Sequence, residues 1–383
     1  MLPGAARAIT LGISILCMPA ASAMDKTGRL SISLSEEYND NVRLIATKHP
    51  TVYISTLSPA AECSATTETF SALARSRIDV RRYEGDSSLN STNVLAEGVL
   101  TKQLTRHTLG LRATFLRDPT LASELTNTGI VQENRQRTSL GLNPVWTSQL
   151  SERTSWKLSH EFADVRYQDT SGTSLTNYRA GTTRTGLEYR YTERSTAFVD
   201  AGFGYFRPER LGTRSDTRYI VIGAKHQLSE RVRVQGFVGP RQVEAPSSGP
   251  SRNKSGWLAN LGFERSTERG VARLSVAREV NPLGSGDITQ TDKLNVSWSS
   301  KLSERLLWSV SGSFYRNQLV IGSPLRDHYY RIEGNMSWLM TKRWTIEAGI
   351  VRAHQNPDSG SSVSANQVFV GVKYDFFIPR RWE

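Results

Sequence analysis

The chain has 383 residues, 22% of them charged and 38% hydrophobic, and its 48 Lys and Arg against 36 Asp and Glu give a formal net charge of +12. Beyond its first two dozen residues it has no run of about 20 apolar residues, the length a helix needs to cross a bilayer, so a helical transporter is excluded. Two cysteines cannot build a disulfide framework, and six scattered histidines without a cysteine pair make no zinc site.

In chain order the first element is a leader. Arg7 is its positive end, residues 8–18 (AITLGISILCM) form a short apolar stretch, and Ala21-Ser22-Ala23 is a small-residue cleavage site. Residues 1–23 therefore read as a signal peptide, and 24–383 as one domain. No small residue stands just before Cys17, so no lipid anchor is expected, and Cys63 is the single cysteine of the mature chain. Removing Arg7 leaves a charge of about +11. The basic residues are spread one or two per segment, which argues against a nucleic-acid partner.

After the leader the chain is organised by a repeated turn. Leu-Ser-Glu-Arg stands at 150–153, 228–231 and 302–305, with variants at 104–107, 192–194, 266–269 and 341–343. From Glu193 onward the turns recur about every 38 residues, a spacing that signals a repeat architecture. Each turn lies between two segments of alternating polarity, as in Trp257, Ala259, Leu261 and Phe263, or Trp344, Ile346, Ala348 and Ile350. Period two puts one set on each face of a sheet. Eighteen strands are expected, near 29–37, 51–57, 68–83, 91–104, 107–118, 135–150, 154–168, 177–191, 195–207, 216–228, 231–244, 255–267, 270–281, 290–302, 305–318, 327–340, 344–356 and 365–377. The first three are the least regular, so sixteen is the fallback count.

Strands with one apolar face can form a soluble sandwich or a membrane barrel. Three features favour an all-β, transmembrane antiparallel barrel. Short turns alternate with long loops such as 118–134 and 244–253, and the segments are long enough to cross when tilted. Trp146, Trp156, Tyr191, Trp308, Trp338 and Trp344 stand near strand ends, where an interfacial girdle belongs. The last strand alternates Val368, Val370, Val372, Tyr374 and Phe376. It resembles the terminal signature of outer-membrane barrels, although the chain continues to Glu383. The expected location is the outer membrane of a Gram-negative bacterium.

No enzyme is expected. There is no G-x-S-x-G elbow and no H-E-x-x-H. His160 and Glu161 point to opposite faces of a strand, and His328 beside Tyr329 and Tyr330 reads as girdle. No metal or cofactor is called for. The polar face is more informative. Alternation puts on it eleven basic residues (Arg75, Arg77, Arg81, Arg112, Lys157, Arg184, Arg190, Arg233, Arg273, Arg331 and Lys373). Seven acidic residues join them (Asp79, Glu161, Glu188, Glu264, Glu279, Glu333 and Asp375). A charge facing lipid costs roughly 2 to 4 kcal/mol at the midplane, so these side chains are expected to line the lumen. There they brace the wall as ion pairs, favour anionic solutes, or do both.

The segment 34–44 (LSEEYNDNVRL) resembles the Y-x-D-N-V opening of outer-membrane barrels encoded with exopolysaccharide systems, including those of PEP-CTERM exosortase loci. Residues 137–144 (RTSLGLNP), the Leu-Ser-Glu-Arg turn after them, and Asp164-Val165-Arg166-Tyr167 are similar to that family's middle region. The resemblance implies a passage or scaffold for an exported polysaccharide. Its implied partners are outer-membrane lipid, the barrel-assembly machinery, the polysaccharide and export-system proteins. Asn39, Asp40, Asn41 and Arg43 would shape the first outer loop or contact sugar hydroxyls. The residues themselves leave two alternatives open: a general or anion-leaning porin, and a barrel whose loops act as enzyme or adhesin.

Overall fold

The structure is a computed structural model that describes residues 24–47, 51–121, 134–210, 214–245, 252–320, 326–357 and 361–376. The leader, the centres of the loops at 118–134 and 244–253, and the tail after Phe376 lie outside the described residues.

Eighteen strands make one sheet. They are β1 (Asp25–Asn39), β2 (Val52–Thr66), β3 (Phe70–Glu84), β4 (Ser91–Gln103), β5 (His107–Pro119) and β6 (Gln136–Gln149). Next come β7 (Thr154–Tyr167), β8 (Tyr178–Thr192), β9 (Ser195–Pro208), β10 (Ser215–Ser229), β11 (Val232–Ala245) and β12 (Arg252–Ser266). The last are β13 (Gly270–Pro282), β14 (Ile288–Lys301), β15 (Leu306–Leu319), β16 (Arg326–Leu339), β17 (Trp344–Pro357) and β18 (Val363–Phe376). Each strand pairs antiparallel with its neighbours in sequence, and β1 pairs with β18, with Leu30 opposite Phe376 and Tyr38 opposite Val368. The sheet thus closes on itself as a barrel, the all-strand solution that satisfies the backbone in lipid. At the closure Arg29 grips Asp375 with two hydrogen bonds of 3.0 and 2.7 Å.

The repeated turns have a simple cause. In all but the turn at 104–107, the Ser or Thr hydroxyl accepts from the backbone two or three residues on. Ser151 Oγ accepts from Arg153 N and Thr154 N, Ser303 Oγ from Arg305 N and Leu306 N, and Thr341 Oγ1 from Arg343 N and Trp344 N. The hydroxyl replaces a ladder partner where the chain reverses. These turns join each even strand to the next odd one, and the longer loops lie at the other end. Both chain ends of the barrel fall at the short-turn end, as an even count requires.

The strand bounds agree with the sequence reading within a few residues, with one exception. β2 runs to Thr66 instead of stopping near 57. Pro59 has no N–H to donate, and the β2–β3 register skips Ser58 and Pro59 between Leu57–Val80 and Ala60–Arg77. β2 continues past this fault because β1 holds it on the other side, with Ile32 opposite Pro59. The expected loop at 244–253 is also shorter, since β11 and β12 reach Ala245 and Arg252.

A second fault lies at Gly239-Pro240, where the β10–β11 register skips Ile220 and Val221. A Cβ on Gly239 would overlap the Ile220 carbonyl, a backbone atom that cannot swing aside. Gly239→Val is therefore expected to destabilise the barrel by about 3 kcal/mol, the upper range of overpacking. The check is urea unfolding followed by loss of the heat-modifiable gel band. An unchanged midpoint would show that the strand can shift.

Candidate functional site: the polar face and the mouth

The registers fix two faces all the way round the barrel. One carries Leu34, Leu57, Leu111, Leu142, Val199, Ile222, Leu261, Val296, Ile332, Ile350 and Val370, all large and exposed. At its short-turn end runs an aromatic girdle. Trp146 meets Trp156 edge to face at 5.0 Å, Trp298 stacks on Trp308 at 6.4 Å, and Trp344 lies 4.7 Å from Tyr374. His160 is on this face, hydrogen-bonded to Thr183, and His328 packs beside Phe314.

The apolar face is not uncharged, contrary to the simple alternation reading. Toward the loop end it carries Arg82, Arg117, Arg166, Arg179, Arg207, Arg218, Arg278, Arg316 and Arg352. Some are neutralised on the spot: Asp164 accepts from Arg166 at 2.9 Å and from Arg179 at 3.0 Å. Alternation overlooks this belt because it scores charge by strand and not by height along the strand. The cost of a charge falls to about 0–1 kcal/mol near the interface.

The other face carries every residue that alternation assigned to it, by register. Arg75, Arg77, Asp79 and Arg81 stand at alternate positions of β3, about 7 Å apart. Arg75 and Arg112 converge on Glu97, whose side chain is 5% exposed while theirs are 48% and 57% exposed. Asp79 accepts from Arg77 at 2.6 Å and from Ser58 at 2.5 Å. Arg184 donates to the Tyr219 hydroxyl at 3.0 Å, and Glu188 accepts from Lys225 at 2.8 Å. Glu264 pairs with Arg273 at 2.8 Å, Glu279 with Lys293 at 2.9 Å and Glu333 with Arg331 at 3.0 Å. Lys373 lies 3.6 Å from Asp375, and Arg233 stands opposite Glu264. Lys157 and Glu161 of β7 stand opposite Gly186 and Thr182 of β8, and Arg190 donates to the Glu152 carbonyl. Glu97, Asp200, Lys225 and Lys293 share this face and were absent from the sequence reading. Glu97 was legible, because it falls on the same alternation as Ser91 and Asn93.

Three loops close over this face at the mouth. Leu44, in the connection after β1, packs on Tyr315, Tyr329, Ala353 and Ala365 of β15 to β18. Leu89, in the connection after β3, joins Val52, Ile54 and Tyr83. Leu175, in the connection after β7, joins Val165, Tyr167, Tyr178 and Phe206, and Thr176 N reaches Gly284 O. The segment 39–43 serves the first of these loops. Asn41 is buried and donates to Ile45 O and Ser364 O, and Asp40 accepts twice from Asn366 at 2.7 Å. Arg43 clasps Asp86 at 2.7 Å and Ser88 at 2.8 Å. These contacts favour the loop-shaping role over sugar contact.

Ser88, and then Arg43 against the opposing effect of burial, hold the Asp86 carboxyl below the ordinary aspartate range. A carboxyl lowered by folding stabilises above its unfolded value, and that stabilisation is lost as pH falls through the lowered one. Asp86→Asn at neutral pH, or acid with the parent chain, should therefore speed amide exchange over residues 40–47 several-fold after correction for intrinsic rates. Unchanged exchange would mean that the clasp does not hold the loop.

A closed eighteen-stranded antiparallel barrel with an apolar, aromatic-girdled face and a charged, hydroxyl-rich one has the build of an outer-membrane barrel. A solved structure shares the fold. OccAB4 of Acinetobacter baumannii is similar over 92% of this chain and 98% of its own, at 10% identity and a TM-score of 0.50. OccAB3 of the same organism follows at 10% identity, 92% and 99% coverage and a TM-score of 0.49. OpdK of Pseudomonas aeruginosa, solved with vanillate, matches at 10% identity, 91% and 98% coverage and a TM-score of 0.48. No family model and no curated protein sequence matches the chain.

Proposed function

We propose that the protein sits in the outer membrane of a Gram-negative bacterium as a passive passage for small hydrophilic solutes, with a preference for anions. The polar face lines the lumen and the apolar face meets lipid. The observation that carries the anion preference is the pair of half-exposed guanidiniums, Arg75 and Arg112, held on one buried carboxylate. Two cations on one anion leave positive charge facing the water, in line with Arg77 and Arg81 on the same strand. The protein's own groups supply contacts and field and form no bonds, so the reading is of a non-catalytic protein whose partners are lipid and solute.

The polysaccharide passage implied by the sequence resemblance has less support. Leu44, Leu89 and Leu175 fold over the mouth from three sides, which suits a small solute better than a polymer. The test is conductance of the refolded full chain in a planar bilayer, with a salt gradient. Open channels that pass chloride ahead of potassium are expected, indifferent to added oligosaccharide. A folded barrel that conducts no ions, or one that prefers potassium, would overturn the reading.

A further inference from the structure

The wall of the barrel has a split. The β12–β13 ladder ends at Ala259 opposite Arg278, although β12 continues up to Arg252 and β13 to Pro282. It is the shortest ladder in the barrel, and above it each strand pairs only with its outer neighbour, β11 or β14. Unpaired strand edges are costly unless something covers or solvates them.

Hydrogen-bond donors gather in this split without acceptors. Arg241, on β11, is 4% exposed. Its guanidinium lies against Gly256, 3.1 Å from where a Cβ would stand, and Nη2 reaches across β12 and β13 to Gln290 Oε1 of β14 at 2.8 Å. Its Nε and Nη1, and Nδ2 of Asn281 on β13, are buried and meet no acceptor among the described residues. Buried donors left unpaired are costly, so a group that accepts from them would be bound. Below and outside lies Arg278, stacked 4.1 Å from the Trp257 ring and paired with Asp292. Arg316 stands opposite Asp292.

The split also borders two spaces. On the apolar face a groove of about 1080 Å³ runs past Ile222, Val238, Leu261, Val276, Leu294 and Phe314 to Arg278. On the polar face a cavity of about 460 Å³ is lined by Arg184, Asp200, Tyr219, Glu279 and Asn281, and Arg278 and Phe237 border both.

We propose that the split is a side port that takes a carboxylate-headed, single-chain amphiphile, its head on Arg241 and Asn281 and its chain in the apolar groove. A carboxylate matches the forked donors of arginine, and the volume of the groove, about 1080 Å³, leaves room for one alkyl chain. The inference rests on the apolar face meeting lipid and is independent of whether the lumen conducts.

The test uses the full chain in phosphatidylcholine nanodiscs, with 12-bromododecanoate as probe, because bromine quenches nearby tryptophan. Saturable quenching is expected with the acid. The alcohol 12-bromododecanol should need at least tenfold more, and Trp257→Phe should remove most of the saturable part. Arg241→Gln should raise the half-saturation at least tenfold and Arg241→Lys by less. Asn281→Leu gives a second reading if Arg241→Gln does not fold by heat-modifiable mobility. Equal, non-saturating quenching by acid and alcohol would mean an ordinary lipid contact and would overturn the port, as would folded Arg241 and Asn281 variants that bind like the parent. A chain that conducts ions but shows no saturable quenching overturns the port alone, and the converse result overturns the passage alone.

Discussion

On the proposed reading, replacing Arg75 and Arg112 together by glutamine should turn a preference for anions into one for cations. Both guanidiniums bond to Glu97, the buried member of the trio. With both cations gone, the carboxylate faces the lumen unpaired and repels the ions that the trio had attracted. A unit charge at 4 Å in water-like surroundings contributes about 1 kcal/mol, so the permeability ratio should move by about fivefold per charge lost. The single variants should do less, because Glu97 keeps one partner. Glu97→Gln should act in the opposite direction and strengthen the preference for chloride. Reversal potentials across a potassium chloride gradient read all four. An unchanged potential in the folded double variant would sink the assignment of this trio to the conducting path.

Alternation encodes only part of a barrel, which is why these residues were legible in the sequence while others were not. A strand's period of two is set by the pleat, so Arg75, Arg77 and Arg81 on β3 declare a shared face without any knowledge of the fold. The hydroxyl turns at Ser151, Ser229 and Ser303 announce the chain reversals for the same local reason. Properties that depend on a partner strand were hidden. β2 looked finished at Leu57 because Pro59 breaks the local pattern, and only β1, paired alongside, carries it through. Glu97 looked like one acid among many until the register set it between Arg75 and Arg112. The inward fold of Leu44 depends on side chains far along the chain, at Tyr315 to Ala365, and the loop of Leu175 is tied at Thr176 N to the distant Gly284 carbonyl. The split between β12 and β13 leaves even less trace. Residues 255–258 and 279–281 read as ordinary strand, and the missing ladder shows only when their neighbours are known.

Height along the strand is the other property that period two conceals, and it carries the second large effect. Ile350, 63% exposed, lies midway along β17 on the apolar face, and His354 lies on the same face nearer the loop end, where it stacks on Tyr330 at 4.8 Å. Ser311 of β15 is on the opposite face, beside Glu333. Arginine at each position measures the surroundings directly. Ile350→Arg should cost about 2–4 kcal/mol, because the guanidinium must be held in hydrocarbon or drag water with it. His354→Arg should cost about 0–1 kcal/mol, since Arg352 already stands at that level and headgroups are within reach. Ser311→Arg should change stability by no more than about 0.5 kcal/mol, as a solvated substitution does. Unfolding midpoints in phosphocholine vesicles rank the three. Equal costs for Ile350→Arg and Ser311→Arg would mean that the apolar face does not meet lipid. The ranking Ile350, His354, Ser311 would fix both the lipid-facing side of the wall and the depth at which its arginine belt begins.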